Sequence, residues 1–447
     1  MNGTQLFRAT LFHTTANPFR EPTALRGHED GGLLVRAGRI VASGSFDEVR
    51  CLDRNATVID WRGGIVLPGL VDTHVHYPQM PIIGRLGRTL LEWLDHVALR
   101  QEVRMADESY ASECARRFVA ALAAHGTTTA MVFGAHFGAA TASLFQAAEH
   151  AGLRIVTGLV VSDRFLPSPL LQTVERAYRE CAELIRTFHG RGRLLYAVTP
   201  RFALSTNDAM LEMCQALLRE HEGLRFQSHV NESPDEVRMV GEHFSWAADY
   251  VDVYDRFELT GPRAVLAHNV LATDSELHRL AASATSIAHC PTSNAALGSG
   301  IFPLRRHLEA GVRVALGTDV GGGTGLGILK EALQAYLMQR VAAGGVPLDA
   351  AHLLYLSTLA GAEALGLAHE IGSFCPGKSA DFVLFQAPDG SVLDTVLKQV
   401  SAPEEALSAL FTLGGAESVR EVRVAGDVVF DDRWHIDAGL RDAETQS

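Results

Sequence analysis

With 447 residues, 47% of them hydrophobic and 20% charged, the chain can bury a large core and is too apolar to be disordered. A formal charge of −13 argues against a nucleic-acid backbone as partner. Six cysteines (51, 114, 181, 214, 290, 375) without a Cys-x-x-Cys pair, no signal-peptide pattern and no apolar run of membrane-spanning length predict a soluble cytoplasmic protein with reduced thiols.

Residues 1–66 read as all-β, with strand-type runs at 5–12, 33–37, 39–42 and 56–61 and a hairpin turn at Gly38. From 67 to 372, strand-like and helix-like segments alternate, the signature of βα units. Strands are predicted near 70–76, 127–133, 154–160, 194–199, 225–229, 264–268, 286–289 and 313–317. That makes a distorted (β/α)8 TIM barrel. Between them, a helix over 108–124 stops at Gly126, and Thr273-Asp274-Ser275-Glu276 has capping-box spacing. Residues 373–447 hold a strand at 381–385, helices near 392–400 and 403–412, and a hairpin over 419–430 turning at Ala425-Gly426-Asp427. The two end segments are expected to pair into one small β-sandwich.

The chemistry starts in the run Leu67-Pro68-Gly69-Leu70-Val71-Asp72-Thr73-His74-Val75-His76. Residues two apart on a strand point to the same side, so His74 and His76 can converge on one metal ion. Later strand-like runs end in His229, His268, His289 and Asp319. In a parallel barrel those ends share one mouth. His74, His76, His229 and Asp319 offer three nitrogens and one oxygen to a divalent ion. The fourth strand ends Ala197-Val198-Thr199-Pro200-Arg201, with no lysine to bridge a second metal. One ion per chain is expected, zinc first and iron as the competitor. A water on such an ion is acidified toward hydroxide.

Glu232, three residues beyond His229, is placed to carry a proton from that water to a substrate ring nitrogen. His268 can ligate the ion or hold the water and the developing oxyanion. Asp319 can ligate and also accept a proton. Together these parts suit a hydrolytic addition–elimination at an electrophilic sp² carbon. His289 is as consistent with anchoring its strand as with touching the site, and stays outside the catalytic set. Gly321 to Gly327 lacks the Lys-Ser/Thr ending of a phosphate loop, so it is read as backbone passing close to substrate or metal. The His-x-Glu with Pro-Cys-x-x-Cys pattern of another class of zinc hydrolases is absent.

Pro68-Gly69-Leu70-Val71-Asp72-Thr73-His74-Val75-His76, His268, His289-Cys290-Pro291-Thr292-Ser293-Asn294 and Gly317-Thr318-Asp319 resemble the amidohydrolase superfamily. His76-Tyr77-Pro78-Gln79, Leu90-Leu91-Glu92-Trp93-Leu94, Thr199-Pro200-Arg201-Phe202 and Asp252-Val253-Tyr254-Asp255 resemble its guanine deaminase family. The resemblance runs from about residue 30 to 385. It implies guanine and water going to xanthine and ammonia with zinc, in a homodimer. It implies that His74, His76, His229 and Asp319 hold the metal and that Glu232, His268 and Asp319 handle protons. Gln79, Arg201, Phe202 and Trp93, with His229 and Glu232, would contact the purine, although Trp93 reads equally well as core.

His136, Asn231 and Asn269 depart from the family pattern near the barrel mouth. They are where a related amino-purine, pterin or amino-triazine would be selected instead. An amide- or imine-cleaving hydrolase, or a barrel kept as a non-catalytic assembly subunit, are the other readings.

Overall fold

The computed structural model describes residues 3–433, so positions 434–447 of the expected C-terminal β segment lie outside the described residues. Four strands open the chain: β1 (Gln5–Thr14), β2 (Leu25–Arg36), β3 (Arg39–Ser45) and β4 (Thr57–Pro68). The β2–β3 turn is at Ala37-Gly38, both with positive φ (50° and 73°), as a tight hairpin turn requires. The all-β expectation for this segment missed one helix, Phe46–Leu52. Its Val49 and Phe46 pack against Leu6 and Leu34, closing a small apolar cluster on that face of the sheet.

Eight parallel strands follow in barrel order: β5 (Leu70–His76), β6 (Thr127–Phe133), β7 (Arg154–Gly158), β9 (Leu194–Pro200), β10 (Arg225–Val230), β11 (Ala264–His268), β12 (Ser286–His289) and β13 (Arg313–Leu316). A two-residue strand, β8 (Val160–Val161), continues the path of β7 and pairs with the end of β9. Nearly every barrel-strand residue is buried, because side chains fill the interior on one face and helices cover the other. β5 and β13 meet through a seam of specific bonds. The Asp319 N–H donates to the His74 carbonyl (2.8 Å), the His76 N–H to the Val320 carbonyl (3.0 Å) and the Thr73 hydroxyl to the Leu316 carbonyl (2.8 Å). The seam therefore runs through the residues on which the site is built.

After the barrel, β14 (Phe382–Phe385), β15 (Val419–Val424) and β16 (Asp427–Asp431) return to the N-terminal strands. The chain ends thus form one β unit, as a single hydrogen-bonded path of seven strands in the order β16-β15-β14-β4-β1-β2-β3. Its buried face carries Phe7, Leu33, Val66 and Phe382. The helices Glu108–Ala124 and Asp274–Ser283 match their sequence signals, the second with a complete Thr273–Glu276 capping box.

Gly317 marks how tightly the seam is built. A Cβ there would lie 2.8 Å from His74 Cβ and 3.0 Å from its backbone nitrogen. Gly317→Ala is expected to destabilise the fold by about 1–3 kcal/mol through overpacking, and to loosen divalent-ion binding by displacing His74. Denaturant unfolding and metal content of the variant check this. Unchanged stability together with unchanged metal retention would contradict it.

Candidate metal-dependent active site

Four strand ends place the five central groups. His74 and His76 come from β5, His229 from β10, His268 from β11, and Asp319 from the third residue beyond β13. His74 Nε2 is 3.1 Å from Asp319 Oδ1 and 3.3 Å from His76 Nε2. His76 Nε2 is in turn 3.2 Å from both Asp319 Oδ1 and His229 Nε2. All four residues are buried, and one donor atom of each lies within 4.8 Å of every other. Glu232, His268 and Asp319 form a second, overlapping cluster.

The ring orientations are fixed from behind. The His229 Nδ1–H donates to the Arg201 carbonyl (2.5 Å), so its Nε2 lone pair faces the cluster. His268 Nδ1 is 2.9 Å from Asn294 Oδ1, which leaves His268 Nε2 directed at Glu232 Oε2 (3.5 Å) and Asp319 Oδ2 (3.8 Å). Ser293 Oγ donates to Asp319 Oδ2 (2.6 Å). Asp72 accepts from the His74 N–H (3.1 Å), the Thr318 N–H (3.1 Å) and the Thr318 hydroxyl (2.6 Å), clamping both sides of the seam. Phe133, at the end of β6, lies against the rings of His74, His76 and His229 with centroids 4.5–5.0 Å apart. Non-glycine residues with left-handed backbone gather at these strand ends: Asn231 (51°), His268 (74°), Asn269 (49°) and Asp319 (46°). Such conformations persist where the surroundings over-determine them, often at functional sites.

The donor set fits a divalent cation. Four of the separations between the three imidazole nitrogens and the carboxylate oxygen are 3.1–3.3 Å, the spacing of donors around one ion with bonds of roughly 2.0–2.1 Å. Burial lowers His74 to about 3, and burial with the neighbouring histidines puts His229 well below the usual histidine range, so both are neutral lone-pair donors. Two polar atoms beside the cluster, Glu232 Oε1 and His268 Nε2, are buried without a hydrogen-bond partner. Buried polar atoms of this kind call for a missing ion, water or ligand. The two carboxylates are driven apart. Burial, with Asp319 and Glu236 nearby, raises Glu232 well above the carboxylate range. Against its own burial, the adjoining imidazoles of His74, His76 and His268 hold Asp319 well below it.

Arg201, Gln79 and Phe202 also line this region, but they do not stand alone. Arg201 Nη2 and Nε donate to Glu102 (3.0 and 3.4 Å), and Gln79 Nε2 donates to the same carboxylate (2.7 Å). Gln79 Oε1 accepts the Gly321 N–H (2.9 Å), which puts the glycine-rich run where close backbone approach was expected. Glu102, in the helix Leu99–Val103, had no motif to reveal it. Asp72, Ser293 and Asn294 were visible only as letters of the quoted motifs.

Phe202 has its ring edge-on to His229 at 6.5 Å. Trp93 is buried in the main apolar cluster and, among the described residues, has no ring contact with a site histidine. His289 stacks on Phe302 (4.3 Å), with both ring nitrogens unpartnered. Two of the atypical positions are bonded within one buried group. Asn231 Nδ2 donates to Asn269 Oδ1 (2.9 Å) and to Glu276 (2.9 Å), and Asn269 Nδ2 bonds His307 (2.9 Å). Both amides are satisfied in this buried network. His136 does face the site, with Nδ1 3.4 Å from Glu102 Oε2.

Comparison with known proteins agrees with this geometry. Residues 65–429 match the amidohydrolase family. A probable guanine deaminase of Deinococcus radiodurans is 53% identical over 432 residues, covering 95% of this chain and 98% of its own. The solved guanine deaminase of E. coli superposes with a TM-score of 0.92 at 38% identity, covering 96% and 99% of the two chains. That of Bradyrhizobium japonicum gives 0.91 at 31%, covering 96% and 100%. The chain belongs to the amidohydrolase family and, within it, to the guanine deaminases.

Proposed function

We propose that this chain hydrolyses guanine to xanthine and ammonia, with residues 67–372 as the catalytic barrel and 1–66 and 373–447 as its β unit. The observation that carries the reading is the pair of buried, unpartnered atoms, Glu232 Oε1 and His268 Nε2, beside a four-donor cation cluster. His74, His76, His229 and Asp319 would hold one zinc, or iron in its place, which supplies the Lewis acidity that makes water nucleophilic near neutral pH.

The protein's own groups then divide the work. Arg201 and Gln79 present N–H groups to the polar edge of the base, Phe202 packs against it, and the carbon bearing the 2-amino group faces Asp319, His229 and Glu232. Trp93 is assigned to the surrounding wall. His268 and Asp319 orient the attacking water, and Asp319 takes a proton from it. Glu232 protonates the ring nitrogen next to the attacked carbon, making the ring an electron sink. Asp319 returns the water's proton to the amine, the C–N bond breaks, ammonia leaves, and the added hydroxyl gives its proton back to Glu232 as it becomes the carbonyl. A carboxyl held high by burial suits proton donation at neutral pH.

The same reading makes the chain a cytoplasmic homodimer. All six cysteines are free, as in a reducing compartment, and among the described residues no helix is long and apolar enough to cross a membrane. The dimer rests on the family resemblance.

Elemental analysis of active protein is expected to give one zinc or iron per chain. Two metals per chain, or full activity without any, would contradict the ligand assignment. Glu232→Gln should keep the metal and the melting temperature but lose turnover by at least about 10²–10⁴-fold. Near-normal kcat in the metal-loaded variant would reject Glu232 as the proton carrier. Because the pocket would be built to hydrogen-bond the 6-oxo edge, kcat/KM for guanine should exceed that for adenine by ~10⁴ or more. A panel adding cytosine, 8-oxoguanine and ammeline decides the substrate: any of them beating guanine tells against guanine.

A further inference from the structure

Glu102 is a buried carboxylate near the site that neither ligates nor reacts in this scheme and, unlike Asp72, bonds side chains rather than the strand seam. It is 5% exposed and sits on the helical excursion between β5 and β6, away from the strand ends that carry the other groups. Its two oxygens gather every polar side chain of the base-reading edge: Gln79 Nε2 at 2.7 Å, Arg201 Nη2 at 3.0 Å and Nε at 3.4 Å, and His136 Nδ1 at 3.4 Å. Gln79 is thereby oriented as well. Its amide nitrogen must face the carboxylate and its oxygen the Gly321 N–H, which leaves one amide hydrogen for a ligand. Arg201 is engaged through Nε and Nη2, while its Nη1 makes no hydrogen bond among the described residues.

The charges matter as much as the geometry. Although burial opposes it, Arg201 and His136 pull the Glu102 carboxyl down to about 2, and burial lowers His136 to about 4. The edge therefore holds one guanidinium, one carboxylate and a neutral imidazole, with no net charge. A bare buried arginine would attract carboxylates and anionic heterocycles. One whose charge is cancelled at 3 Å offers directed N–H donors without that attraction.

We propose that Glu102 is the positioning and charge-balancing residue of the base-reading edge: it fixes Arg201 and Gln79 and cancels the guanidinium charge, so that the pocket selects an uncharged heterocycle over an anionic one. This rests on the purine-edge role proposed above for Arg201 and Gln79. It also bears on the alternative of an amide- or imine-cleaving hydrolase, because an open-chain substrate bound by its carboxylate would need the arginine charge that Glu102 removes.

The test uses metal-loaded, full-length protein and xanthine, which passes from neutral to monoanionic form within the accessible pH range. Direct binding of xanthine by calorimetry, measured below and above that ionisation, gives the ratio of affinities for the anion and the neutral base. Comparing this ratio between variant and wild type cancels contributions from the rest of the site. Glu102→Gln should shift it toward the anion by roughly tenfold or more, the effect of exposing a unit charge a few ångströms away. It should also raise KM for guanine by about tenfold to a hundredfold with little change in kcat, because what is lost is uniform binding. Glu102→Asp keeps the charge but shortens the reach, so it should raise KM while leaving the ratio at the wild-type value. A folded Glu102→Gln protein with the wild-type ratio overturns the proposal. If that variant does not fold, Glu102→Asp decides, since a drift toward the anion with the charge retained overturns it equally. The ratio is read from binding, so a wild type that fails to turn over guanine would refute the proposed activity without deciding the role of Glu102.

Discussion

Three imidazole lone pairs and a carboxylate oxygen, 3.1–3.3 Å from their nearest neighbours and sealed from water, depend on a cation for their stability. Much of the surrounding structure serves to hold that arrangement. Asp72 binds the backbones of His74 and Thr318 together across the seam. Gly317 leaves room for His74, and Phe133 supports three of the rings. The Arg201 carbonyl fixes the tautomer of His229, so one residue ties the donor cluster to the group around Glu102. Partners behind the ligands orient them and tune the metal as strongly as ligand identity does.

Around this centre the site separates charges that would otherwise be alike. Asp319 is held as an anion by His74 and His76, while Glu232, close by but without hydrogen bonds to its Oε1, is pushed toward the acid form. Carboxylates driven in opposite directions suit the separate acid and base roles proposed for them. Glu102 forms a third environment, an anion stabilised by Arg201. The three carboxylates thus differ by their neighbours, since all three are buried.

Much of this was legible in the chain. The barrel strands appear as short apolar runs bounded by turns, and the predicted limits at 70–76, 127–133, 264–268 and 286–289 coincide with β5, β6, β11 and β12. His-x-His on a strand and histidines or aspartate at later strand ends were enough to expect one cluster, because parallel barrel topology brings those ends together. Glu102 could not be read this way. It lies in a short helix whose sequence, Leu99-Arg100-Gln101-Glu102-Val103, looks like an ordinary amphipathic stretch, and only tertiary packing buries its carboxylate. The Asn231–Asn269 pair was legible as two unusual residues but not as one contact, since 38 positions separate them. The helix at Phe46–Leu52 went unread because it is a single short element between strands.

The central claim is that one divalent ion is held by nitrogen and oxygen donors from β5, β10 and the loop after β13. X-ray absorption at the zinc edge of metal-loaded protein addresses it without assuming any substrate. The account predicts a single zinc environment of light N/O donors with the multiple-scattering signature of about three imidazoles. That signature should weaken by one imidazole in His229→Ala. A sulfur donor, a second metal at short range, or a spectrum unchanged by that substitution would contradict it.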